Sequence, residues 1–493
     1  MQGKKALYLM LLVVLLVRLF FAFQTNNFSY DGYATLRQVE GIKGTFMPVY
    51  EDELSYGGRH LVYPPLFPYS LAIFAWFIPL WWVLKIAPNI YATLTALFIY
   101  LLLNKLTKKE GVALVIGLAA GIFPLYLEST VSTLTPHTII LPYLLACIYY
   151  YLLAIENEKK LPILASLIII FPFIHGSALF FIGGLFFFWV LLHSEGLNQK
   201  EIEKEIFLFS SIYMIWIFLV IFKKALLLHG FELIWQNIPT AILSHYFEPI
   251  SFLSSFGAIG ILPILFGTYI IYKYIFAKGD QIWYLFIGFA LFFFAMMVFK
   301  LIEPNIGLLY LGTFLFILTG QFFNLALEYM EKTKIAEQRN RLIVISSILF
   351  VLSLFIFSIP TQKNHPSQLL MDSMDWIRIN IGPESHILAT VDLGNLISGT
   401  ANRKNIWDTS FLMIKNINQR YNDINELFQT SSEVAAVRIL SKYRVNYILF
   451  SKSTKEQYGI ENLAFINDKE CFPLAYENPE VKIYKVSCRV KEQ

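Results

Sequence analysis

The stretch from His137 to His193, HTIILPYLLACIYYYLLAIENEKKLPILASLIIIFPFIHGSALFFIGGLFFFWVLLH, decides the class of fold. Within it, apolar runs cover 137–154, 161–174 and 176–193, and the tract Glu156 to Lys160 separates the first two. A helix rises about 1.5 Å per residue, so roughly 20 apolar residues cross about 30 Å of hydrocarbon. Outward from this stretch the pattern recurs at 6–23, 87–104, 111–127, 207–228, 255–276, 281–300, 303–327 and 342–360. Over 493 residues, 56% are hydrophobic and only 15% charged, which excludes a soluble domain and predicts an α-helical polytopic membrane protein. Lys and Arg gather in short tracts between apolar segments rather than along one face, which argues against a nucleic-acid partner.

Those tracts predict orientation. Lys105 to Lys109, Glu156 to Lys160, Gln199 to Lys204, Lys273 to Lys278 and Lys332 to Arg341 all fall on one side if the piece 67–84 does not cross. Basic loops stay cytoplasmic, so this side is inside, with the N-terminus, and the C-terminus is extracytoplasmic in a cell membrane. Pro68, Pro79 and the Trp81-Trp82 pair suit a re-entrant or interface-lying helix. The first segment is long enough to span, lacks a small-residue cleavage site and reads as an anchor. The count is eleven crossings, within a range of eleven to thirteen helices. The membrane part, 1–360, then presents loops 24–66, 128–136 and 229–254 on the same face as the polar tail 361–493. That tail reads helix (369–380), strand (386–391), helix (432–443), strand (445–450) and strand (481–486), a small α/β domain. Cys471 and Cys488 can pair in an oxidising compartment, while Cys147 lies within a span.

The chemistry-bearing residues lie on that shared face. The first loop, NNFSYDGYATLRQVEGIKGTFMPVYEDELSYGGRHLVYPPLFPY, mixes the carboxylates Asp31, Glu51, Asp52 and Glu53 with Arg37, Arg59 and several tyrosines. Guanidinium groups clamp phosphate and aromatic faces suit sugar rings, although a solvated loop would carry similar charges. His137 ends the second loop, and Glu248 lies in the third within His245-Tyr246-Phe247-Glu248. Lys300 stands in FKLIEPNIG beside Glu303. A charge near the membrane boundary is costly unless it meets a partner, a substrate or the interface. Asp392 sits at the C-terminal tip of a predicted strand, where functional groups are common.

YDGYATLRQVEGI, LSYGGR and YPPLFPY resemble the first outer loop of oligosaccharyltransferase catalytic subunits, most closely the archaeal ones, which belong to the GT-C class of polyprenyl-phosphate-dependent glycosyltransferases. Matching positions are Asp31, Arg37, Pro64 and Pro65. The tail MDWIRINIGPESHILATVDLGNLISGTANRKNIWDTSF is similar to the family's acceptor-recognising stretch through Trp376, Arg378, Asp392, Gly394, Arg403 and Asp408, but it lacks the aromatics of the Trp-Trp-Asp-Tyr-Gly signature. Thr135 replaces an expected carboxylate two residues before His137, with Glu128 upstream of both.

The resemblance implies a membrane glycosyltransferase that moves a sugar or oligosaccharide from a polyprenyl-(di)phosphate donor to an extracytoplasmic acceptor, protein or glycan, with protein asparagine among the candidates. It implies Asp31 and Glu248 as catalytic groups. Asp31, His137 and Glu248 are the metal ligands it implies, for Mg²⁺ or Mn²⁺, and Arg37, Arg59, Lys300, Asp392 and Arg403 the substrate contacts. Two alternatives stay open: a GT-C monosaccharide transferase acting on lipid, polysaccharide or protein hydroxyls, and a non-catalytic scaffold. A transporter fits less well, because ionisable residues avoid span centres.

Overall fold

The structure is a computed structural model and describes residues 2–248, 250–277, 280–332, 339–356, 365–466 and 468–490. It has the expected polytopic helical architecture with fewer clear crossings. Among the described residues seven helices are long and apolar enough to span: Lys4–Ala22, Leu80–Thr107, His137–Glu156, Gly176–Ser194, Glu201–Ile221, Gln281–Val298 and Pro304–Glu331. Two broken pairs bring the number to nine.

Local chemistry explains the difference from eleven. Segment 111–127 bends by 48° between Glu110–Ile122 and Pro124–Thr130, where Pro124 opens the second helix. Segment 255–276 turns by 99° at Gly260, whose φ of +101° lies where L side chains are strained. In 161–174 the helix Leu161–Ile170 gives way at Pro172 to a 3₁₀ turn, Phe171–Phe173. The last expected span appears as the helix Arg339–Ser353, and 357–360 fall outside the described residues. Residues 67–84 also divide differently. Leu66–Ala75 is a short helix, as expected of a piece that does not cross, but Leu80 already opens the 28-residue helix Leu80–Thr107.

Packing in the span layer rests on small residues and aromatic rings. Ala96 and Gly117 let Leu80–Thr107 and Glu110–Ile122 approach so closely that a Cβ on Gly117 would lie 3.0 Å from the Ala96 carbonyl oxygen. Phe289 stacks on Phe314 at 4.9 Å and Phe293 on Tyr310 at 4.8 Å. Arg18 is buried in the first span and donates to the Gly121 carbonyl (3.2 Å) and the Thr130 hydroxyl (2.5 Å), a structural pairing of a group that lipid would reject.

One end of the bundle gathers the basic tracts: Lys105 pairs with Glu156, and Lys109 with Glu331 at 3.0 Å. The other end carries the loops and the C-terminal domain. In the first loop, strands β1 (Glu51–Asp52) and β2 (Arg59–His60) form an antiparallel hairpin. The C-terminal domain contains β3 (His386–Leu388), β4 (Lys404–Asn405), β5 (Val445–Ser451), β6 (Leu474–Glu477) and β7 (Val481–Lys485), in the order β4-β3-β5-β7-β6. The β4-β3-β5 pairs are parallel and the other two antiparallel. Helices Gln368–Asn380, Ile417–Gln429 and Glu433–Lys442 pack around the sheet, and Cys471 is bonded to Cys488.

The hairpin is joined to this sheet. Asn405 N–H donates to the Leu54 carbonyl (2.8 Å) and Tyr56 N–H to the Asn405 carbonyl (2.9 Å). The second loop joins through Ser29, whose N–H donates to the Ser132 carbonyl at 3.0 Å. The third loop joins through Asn237, which donates to the carbonyls of Phe411 (3.3 Å) and Ile414 (3.1 Å). All three loops and the C-terminal domain therefore share one face.

Candidate active site

Asp31 caps the helix Gly32–Thr45 and is exposed. Its Oδ1 accepts from the Thr409 hydroxyl (2.5 Å) and the Asn395 amide (3.2 Å), and Asn395 also donates to the Thr409 hydroxyl (2.8 Å). A first-loop carboxylate is thus fixed by two residues of the C-terminal domain, and its second oxygen faces solvent.

Two further carboxylates lie within electrostatic reach. Asp392 is exposed at its side chain, yet the protein packed around it and then the negative charge of Asp31 raise its carboxyl above the ordinary range, with His245 opposing. Glu303, just before the span Pro304–Glu331, is raised likewise by burial and by Asp31. Tyr246 comes from the third loop, packs on the C-terminal core, and is raised by burial and by Asp31, Asp392 and Glu303 together. Asp392 and Glu303, each raised by burial and by the charge of Asp31, form with Asp31 and Tyr246 an electronegative cluster.

The metal set Asp31, His137 and Glu248 does not assemble. His137 is buried, with Nδ1 3.0 Å from the Tyr310 hydroxyl and its ring against His175. Glu248 is exposed at the rim and pairs with His245 Nδ1 at 2.9 Å. Glu433, Asp468 and Cys471 do lie together, but Cys471 is held in a disulfide and supplies no thiolate.

The expected phosphate contacts also separate. Arg59 is enclosed between Asp52 and Asp408: Nε donates to Asp52 (2.9 Å), and both terminal nitrogens reach Asp408 at 2.7 and 2.6 Å. Burial opposes the charge of Arg59, yet the two carboxylates raise its pKa, and Asp408 is lowered because Arg59 and its hydrogen bonds outweigh burial. Arg403 donates to the backbone carbonyls of Ile381, Arg378, Ala401 and Asn402. Both arginines are occupied in building the face and leave no obvious donor for a ligand. Arg37 pairs with Asp52 at 2.6 Å. Lys300 is exposed, and its carbonyl accepts from the Trp235 indole at 2.9 Å, which ties the third loop to the Glu303 turn.

In the sequence Glu303 reads only as a neighbour of Lys300, and Asn395 and Thr409 carry no mark of a site. The signal for Glu303 was its place before Pro304 at a span boundary; for Asn395 and Thr409 no motif marked them.

No protein-family model matches this chain, and no curated protein matches it in sequence. Solved structures do match in fold. The oligosaccharyltransferase of Archaeoglobus fulgidus superposes with a TM-score of 0.66 at 13% identity, over 90% of this chain and 69% of that one. ArnT from Cupriavidus metallidurans gives 0.59 at 11% identity over 98% of both chains. The arabinofuranosyltransferase AftD from Mycobacteria gives 0.57 at 10% identity, over 97% of this chain and 40% of that one. The chain is thus a multi-pass membrane protein with the GT-C fold. Its neighbours in fold include an oligosaccharyltransferase and an arabinofuranosyltransferase.

Proposed function

We propose that the chain is a membrane glycosyltransferase that uses a polyprenyl-linked sugar donor, with its reaction centre at the Asp31, Asp392 and Glu303 cluster. The observation that carries this reading is the fixing of Asp31 by Asn395 and Thr409 beside two desolvated acids. In the transfer, the bond from the anomeric carbon to the phosphate oxygen breaks and a bond to the acceptor heteroatom forms. The acceptor proton leaves to a base, and Asp31, exposed and oriented, is that base. Asp392 and Glu303 stabilise positive character at the anomeric carbon, and Lys300 offsets charge on the leaving phosphate. Tyr246 positions the acceptor, and Glu248 with His245 closes the rim.

Among the described residues the carboxylate oxygens of Asp31, Asp392 and Glu303 do not gather within coordinating distance of one another, so the expected Mg²⁺ or Mn²⁺ has no preformed three-carboxylate site in this cluster. A solved complex of the Archaeoglobus protein contains Zn and sulfate, others an inhibitory peptide with a dolichol-phosphate or a tethered acceptor peptide, and one ArnT structure holds undecaprenyl phosphate. These support a lipid-phosphate donor, and the basic tracts at the far end of the bundle favour a cytoplasmic N-terminus with the site on the opposite side. The superposition on ArnT over 98% of both chains, a protein solved with undecaprenyl phosphate, keeps the monosaccharide reading open alongside the oligosaccharide one. Purified protein in bilayers, offered a panel of polyprenyl-linked mono- and oligosaccharides with peptide, lipid and glycan acceptors, tests this by mass spectrometry of products. A glycosylated acceptor is expected, and no donor consumption with any pair would contradict the proposal.

A further inference from the structure

At the end of the C-terminal sheet away from Asp392, where β3 and β5 begin, lies a hollow of about 490 Å³ lined by His386, Ser441, Arg444, Asn446, Arg489 and Val490. Its polar groups are donors. Asn446 Oδ1 already accepts from His386 N–H at 2.9 Å, which leaves the amide nitrogen as the outward group. Ser441 Oγ accepts from Val490 N–H at 3.0 Å, so its own proton is free to donate. Arg444 and Arg489 are exposed and have no side-chain partner among the described residues. Among the described residues no carboxylate lines the hollow. The acid that His386 senses, Glu384, is paired with Lys404 at 2.6 Å, and burial followed by Lys404, Arg444 and Arg489 holds the imidazole below its ordinary range, in the neutral form.

Two features shape the backbone that carries the arginines. Arg489 follows Cys488, which the bond to Cys471 anchors, while Ser487 N–H donates to the Cys471 carbonyl at 2.9 Å and Val490 is held by Ser441. Arg444 has φ +51°, a left-handed conformation that a glycine or asparagine would adopt with less strain.

We propose that this hollow binds a tetrahedral oxyanion, phosphate or sulfate, gripped by the Arg444 and Arg489 guanidinium groups with Ser441 and Asn446 donating. Guanidinium forks match such oxygens in pairs. The site uses none of the residues of the transferase reading and stands or falls without it.

Calorimetric titration of the purified full chain with inorganic phosphate, and separately with glucose 1-phosphate, tests the proposal. Saturable one-site binding is expected. Preference for inorganic phosphate assigns the free ion, and preference for glucose 1-phosphate assigns a sugar-borne phosphate. The pair Arg444→Ala and Arg489→Ala should weaken binding at least tenfold, and Lys452→Ala, on the same domain outside the hollow, should leave it unchanged. Arg444→Gly separates binding from folding: it should keep or raise the unfolding temperature while lowering affinity. Absence of saturable binding to either probe, or binding unchanged in the double variant, overturns the proposal.

Discussion

Arg59 binds Asp52 of the first-loop hairpin and Asp408 of the C-terminal domain at once, so a single side chain ties two distant parts of the sequence. Removing one partner from a buried ion network leaves uncompensated charge, with a cost of about 3–5 kcal/mol. Arg59→Ala should therefore lower the unfolding midpoint strongly, and Arg59→Lys, which lacks the fork geometry, should recover only part. Thermal unfolding in detergent measures both. Asp408 has a lowered pKa, so its stabilising contribution is present above the unfolded carboxylate pKa of about 4 and is lost as pH falls through the folded value.

Asp392 runs the other way. Its raised pKa means that ionisation at neutral pH costs folding stability, a cost absent below the unfolded pKa. Asp392→Asn should hold or raise the midpoint at pH 7, with the gain fading at acid pH, while turnover drops. Destabilisation at pH 7 would contradict the assignment of Asp392 to a strained functional cluster. The contrast shows what the sequence made legible at this scale. Asp31, Asp392 and Arg37 were visible through motifs, whereas the structural burden of Arg59 and Arg403 depends on carbonyls and carboxylates hundreds of positions away, which no local pattern encodes.

Among elements, the C-terminal sheet shows both sides of this. Helix 369–380 and strands 445–450 and 481–486 were legible from periodicity and appear within one or two residues of their expected limits. β4, two residues long, and β6, with largely exposed side chains, carry too little apolar alternation to be seen. Span breaks were equally hidden, because Pro124 and Gly260 interrupt runs whose composition stays apolar. Gly394 was noticed as a surviving signature residue, and the structure gives it a packing reason: a Cβ there would lie 2.0 Å from the Trp407 carbonyl oxygen and 2.6 Å from Asp408 Cβ. Gly394→Ala should displace the segment carrying Asp392, Asn395 and Asp408. Limited proteolysis should reveal faster cleavage of the C-terminal domain, and an unchanged digestion pattern would refute the packing argument.

For the whole molecule, the grouping of loops against the C-terminal domain was readable from charge placement, because lipid leaves polar loops only two faces to occupy. Depth within that face was not, so His137 was assigned to the site although it is buried among Tyr310 and His175. The placement of the basic tracts predicts that single cysteines replacing exposed Lys452 and Glu384 react with a membrane-impermeant maleimide in intact cells, and that one replacing Glu158 does not; the reverse pattern would overturn the proposed orientation.

The central claim is that Asp31, presented by the first loop and held by the C-terminal domain, performs the transfer. Turnover of a polyprenyl-linked donor by the purified chain should fall by about 10²–10⁴ in Asp31→Asn, with the unfolding midpoint unchanged. Turnover within twofold of the parent protein in that folded variant would contradict the account.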